Sequence, residues 1–113
     1  MKIRKFNENS NIDIIEYVQD CFAEYIDSGS VFYDRINSSG YCAVIIPECF
    51  NIKFNKQYDC KELKDNIAKL NDIIGDVDVY IDRIKTKYDS DVKISVGMSS
   101  TDSNLQIIFT KIN

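Results

Sequence analysis

The chain has no histidine and no tryptophan, and only one proline and four glycines in 113 residues. Without histidine there is no imidazole to serve as a general base near neutral pH, or to complete a mixed zinc site. Gly75 stands apart from the other glycines, so there is no glycine-rich cradle for a phosphate. The four cysteines, Cys21, Cys42, Cys49 and Cys60, include no C-x-x-C pair. No apolar run approaches the ~20 residues of a membrane-spanning helix. The basic start, Met1 to Lys5, leads into polar residues and does not read as a signal peptide. A cytoplasmic protein with free structural thiols is therefore expected, with neither metal nor cofactor.

Basic residues, 14, are outnumbered by 18 acidic ones. Net charge is −4, which disfavours non-specific adhesion to nucleic acid or to an anionic membrane. From Asn7 to Tyr33 there is no lysine or arginine at all.

What is present is periodicity. Leu63, Ile67, Leu70, Ile74, Val77, Ile81, Ile84 and Tyr88 recur at alternating steps of four and three, which predicts one amphipathic helix from about Cys60 to Tyr88. Such a helix would be roughly 43 Å long, whereas a compact domain of this size is only about 34 Å across. It must overhang the body or bend, and Gly75 is the weak point. The spacing keeps phase through Gly75, which favours a continuous or kinked rod. Ile67 and Ile74 at a positions with Leu63 and Leu70 at d positions suit a two-stranded coil, so the overhang offers a route to a homodimer. Ile73 and Tyr80 widen the stripe into a face suited to a sheet, so most of it is expected in the chain's own core.

A first helix is expected from about Asn11, as N-cap, to Asp27, with Ile14, Val18, Cys21, Phe22 and Tyr25 inward and Ile15 and Ile26 widening the stripe. Gly29 suits a left-handed helix end. Strands are expected at Val31–Ile36, Tyr41–Ile46, Phe50–Phe54, Val92–Met98 and Leu105–Ile112, with turns at Asn37–Gly40 and Ser99–Asn104. The fold class is a single α+β domain over residues 1–113. It is a two-layer sandwich of order α-β-β-β-α-β-β, with an antiparallel sheet of about four or five strands and two helices on one face. A shift of 62 residues superposes helix–strand–strand on helix–strand–strand, the pattern of an internal duplication.

Charge placement supplies the main functional reading. Asp13, Glu16, Asp20, Glu24 and Asp27 step by three or four and line one face of the first helix, opposite its apolar stripe. Such a face is either solvated or an acidic dock for a protein with a basic surface. A second acidic group, Asp72, Asp76, Asp78 and Asp82, lacks the spacing and terminal glutamate of a calcium loop. Tyr33 and Arg35 alternate on one strand face, and with Tyr41 and Tyr58 they form the alternative: a small nucleotide pocket built on stacking.

Three strings, Met1-Lys2-Ile3-Arg4-Lys5-Phe6-Asn7-Glu8, Asp20-Cys21-Phe22-Ala23-Glu24-Tyr25-Ile26-Asp27 and Ile81-Asp82-Arg83-Ile84-Lys85-Thr86-Lys87-Tyr88, resemble those of small accessory proteins of large tailed bacteriophages. That resemblance implies a non-enzymatic binder that inhibits or redirects host machinery, such as a defence system, in the host cytoplasm. It carries over no site residues. A minor structural component of a particle is the remaining alternative.

Overall fold

The computed structural model describes residues 2–34, 40–50, 57–89, 91–99 and 103–112, with side chains described from residue 12 onward. In chain order the elements are α1 (Lys2–Cys21), α2 (Ala23–Asp27), β1 (Val31–Tyr33), β2 (Gly40–Ile46), α3 (Cys60–Tyr88), β3 (Val92–Ser99) and β4 (Asn104–Lys111). The strands form one antiparallel sheet of order β1-β2-β4-β3. Two hairpins, each preceded by helix, are joined through their second strands. This symmetric order is what a repeated helix–strand–strand unit produces.

The expected start of the first helix is corrected. Asn11 is not an N-cap, because α1 already runs from Lys2. No glycine or proline stands between Lys2 and Cys21 to end a helix, and the lysines, arginine and glutamate upstream are good helix formers. Phe22 interrupts the helical geometry, yet its amide donates to the Val18 carbonyl at 3.1 Å and its carbonyl accepts from Ile26 at 2.9 Å. The ladder therefore continues into α2. Gly29, at φ 115°, adopts the left-handed region expected of it, and the Ser30 amide closes the helix end on the Tyr25 carbonyl.

α3 occupies the expected range without a break, and Gly75 is helical within it. Its N-cap is Asp59, whose carboxylate accepts from the Glu62 amide at 2.8 Å. Principal extents are 62 × 24 × 23 Å and the radius of gyration is 16.3 Å, a long axis greater than the roughly 43 Å of α3 alone because Tyr17 meets Tyr88 and the earlier part of α1 runs on past the end of α3. β1 is shorter than expected, ending at Tyr33, and Arg35, Ile36 and the Asn37–Ser39 turn lie outside the described residues. The expected strand Phe50–Phe54 also falls there, apart from Phe50, which is buried in the core without being in a strand. The loop residues 100–102 lie outside too.

Facing residues in an antiparallel pair share a face, so Cys42, Val44 and Ile46 of β2 stand with Phe109, Ile107 and Leu105 of β4. All six are buried, beneath Ile14, Val18 and Phe22 from the first helix and Val77, Ile84 and Tyr88 from α3. Both helices thus cover the same face. They run antiparallel, since Tyr17 meets Tyr88 while Tyr25 meets Asp76. The α3 stripe is not uniformly core. Val77, Ile84 and Tyr88 are buried and Leu63, Leu70, Ile73 and Ile81 partly so, but Ile67 and Ile74 are exposed.

Candidate protein-interaction surface

The acidic line of the first helix is divided between two tasks. Asp13 is engaged at the α3 side, where it accepts a hydrogen bond from the Tyr88 hydroxyl and lies 3.8 Å from Lys87 Nζ. That ammonium also sits over the Tyr17 ring at 4.4 Å. A second bond of the same kind closes the other end of the helix pair: the Tyr25 hydroxyl donates to Asp76 at 2.5 Å. Between them, Phe22 packs edge-on to Tyr80 with centroids 4.9 Å apart. Asp13 is thus part of the helix–helix contact. Glu16, Asp20, Glu24 and Asp27 are exposed.

Burial, followed by the neighbouring Asp76 carboxylate, pushes the Tyr25 phenol well above its ordinary range. Burial and then Asp13 do the same for Tyr88. Both carboxylates act as acceptors for a neutral phenol, the arrangement a phenolate would break.

Glu16 joins Ile12, Ile15, Gln19, Phe32 and Asp34 around an open groove of about 770 Å³. Ile12, Ile15, Glu16 and Gln19 come from α1, whereas Phe32 comes from β1 and Asp34 follows it. Its apolar members are Ile12, 54% exposed, and Ile15 and Phe32, partly buried against the core. Each element brings a carboxylate to the lining, Glu16 from the helix and Asp34 from beyond the strand, with no cation among the described lining residues. Such a groove accepts a side chain or helix face that is partly apolar and partly basic. The apolar members supply affinity, and the exposed carboxylates contribute chiefly to encounter rate and orientation.

Sequence reasoning found Glu16 but not the groove. Ile15 was expected only to widen the core stripe, and Ile12 had no assignment. The legible signal was their i, i+3 spacing on the flank next to Glu16, which the major stripe masked.

Of the alternative nucleotide site, the three described residues do not converge. Phe32 packs on the core, so Tyr33 faces the other side of the sheet, opposite Ala43. A bulge between Gly40 and Cys42 shifts the β2 register, and Tyr41 joins the helix-covered core. Its hydroxyl donates to the Asp91 carbonyl at 3.3 Å. Tyr58 precedes the opposite end of α3, roughly 40 Å away at 1.5 Å per residue. Arg35 lies outside the described residues.

Of the four cysteines, Cys42 and Cys49 are buried, Cys21 is half-buried and Cys60 is exposed, and all are free. The exposed position of Cys60, first in α3, departs from the expectation of structural thiols. Burial pushes the Cys42 thiol up to about 12. Burial also raises Cys49, whose thiol donates to the Ile46 carbonyl. No helix among the described residues is long and apolar enough to cross a membrane.

Comparison with protein-family models, with curated proteins and with solved structures finds no match to this chain.

Proposed function

We propose that the protein is a non-catalytic protein-binding module that seats a basic, partly apolar segment of another protein in the groove between α1 and β1. The observation that carries this reading is Glu16, a member of the acidic line, sharing one groove with Asp34, Ile12, Ile15 and Phe32. Complementary charge and exposed isoleucine in one lining are the two ingredients of a helix-in-groove contact. The lack of histidine, the usual general base beside a nucleophile, supports a binder rather than an enzyme. The resemblance to small accessory proteins of tailed bacteriophages supports a host protein as the partner, one whose activity in the host cytoplasm is inhibited or redirected.

The test uses isotope-labelled protein titrated with a helical peptide of leucine and lysine. Resonances of Ile12, Ile15 and Phe32 should shift together and saturate, and a leucine–glutamate peptide of the same length should leave them unmoved. Equal response to both peptides, or shifts elsewhere only, would defeat the proposal.

A further inference from the structure

Among the described residues β3 is an edge strand, eight residues long, without proline and with a single charged residue, Lys93. The other edge, β1, has only three residues. Long unprotected edges are pairing templates, which monomeric proteins shorten, charge or cover. Ile94, Val96 and Met98 share the helix-covered face with Phe109, Ile107 and Leu105 opposite them. Those three β4 residues are fully buried, yet Val96 is 50% and Met98 57% exposed. The helix layer covers Val92 and part of Ile94 but leaves the second half of β3 bare.

The flank of α3 that overlooks this strip carries exposed isoleucines, bordered by Asp78 and Lys85. Asp76, Tyr80 and Lys87 lean toward α1, as their contacts with Tyr25, Phe22 and Asp13 show. At 3.6 residues per turn, Ile67 and Ile74 fall on the opposite flank, above the β3 side, and they are 57% and 41% exposed. Cys49 is fixed at this end of the sheet, since its amide bonds to the Ser103 carbonyl beside the Met98–Leu105 pair.

We propose that a second copy of this chain covers this face, with β3 pairing antiparallel to its counterpart to give a continuous eight-stranded sheet. The strand suits self-pairing. A two-fold axis on Ser95 or Val96 keeps Ile94, Val96 and Met98 on one face, and Lys93 then opposes Gly97 or Ser99 of the second copy, never the other Lys93. The acidic line belongs to the first helix on the other side of the layer, so it does not oppose its counterpart, and Asp78 and Lys85 at the border of the strip carry one charge of each sign. Ile67, Ile74, Val96 and Met98 together expose on the order of 400 Å² of apolar surface. That is about half of the roughly 800 Å² per partner of a stable interface, and strand backbone and polar neighbours make up the rest.

Sedimentation of the full chain over a concentration series tests this. The wild type should reach twice its 13.0 kDa mass. V96K/M98K should remain monomeric with unchanged far-ultraviolet circular dichroism, and V79K, off the strip, should still dimerise. Independently of any variant, β3 amides of the wild type should exchange more slowly with solvent as the protein is concentrated. A wild type that stays monomeric at every concentration would overturn the proposal and leave the face to another occupant. So would a dimer that survives V96K/M98K, or β3 exchange that is independent of concentration.

Discussion

Replacing Gly75 with alanine is expected to stabilise the protein, by an amount the structure fixes closely. Gly75 lies inside the unbroken α3 helix, where a Cβ would meet nothing within 4 Å. No clash opposes the substitution and no new packing adds to it. What is left is the intrinsic difference between alanine and glycine in a helix interior, about 0.8–1.0 kcal/mol, part of it arising from the less mobile unfolded chain. Unfolding entropy of about 2.1 cal/mol/K per residue gives roughly 0.24 kcal/mol/K for this chain, so Tm should rise by about 4 °C. Thermal and urea unfolding followed by circular dichroism at a fixed protein concentration measure both quantities, with the urea m value unchanged. A lower Tm for the alanine variant would mean that Gly75 ends one helix and begins another, and that the single rod is wrong.

Packing should discriminate sharply along the same helix. Val77→Asp buries an unpaired charge and should cost several kcal/mol, whereas Ile74→Asp, on a residue 41% exposed, should cost less than about 1 kcal/mol in dilute solution, both read by urea unfolding. Stability should decline in alkali. The phenols of Tyr25 and Tyr88 are raised in the folded state, so their contribution is fully present below the ordinary phenol value near 10 and is lost as pH rises from there through the folded values. Y25F/Y88F should flatten that alkaline decline in a series of unfolding curves. Thiol labelling of the native protein should modify Cys60 first and leave Cys42 and Cys49 protected until unfolding, as peptide mapping would report.

The parts of the fold that could be read from the sequence are those where one periodicity has no competitor. The four–three alternation from Leu63 to Tyr88 gave α3 its observed range, and the alternation of Val92, Ile94, Val96 and Met98 gave β3 its observed start. Alternation assigned these β3 residues to one face correctly, but it could not tell that the helix layer fails to reach Val96 and Met98. Coverage depends on where α3 lies across the sheet, and no local pattern encodes that. The start of α1 was missed because Lys2 to Ser10 shows no long apolar stripe, and Asn11, a favoured N-cap, is tolerated inside a helix at only a modest cost. Asp13 illustrates the limit on sites. Its spacing placed it in the acidic line, while its engagement depends on Tyr88, 75 residues away. The groove was hidden for the same reason, since Asp34 and Phe32 join Ile12 and Glu16 only through the packing of β1 beside α1.

The most direct test of the acidic groove is a binding titration of the leucine–lysine helical peptide against the wild type and against the E16K/D34K variant. Both side chains are exposed, so the variant should fold as the wild type does. The wild type should bind with an affinity that weakens as salt is raised, and the variant should lose most of that affinity together with its salt dependence. Equal affinity for wild type and variant, at low and high salt alike, would contradict the assignment of the groove as the docking site.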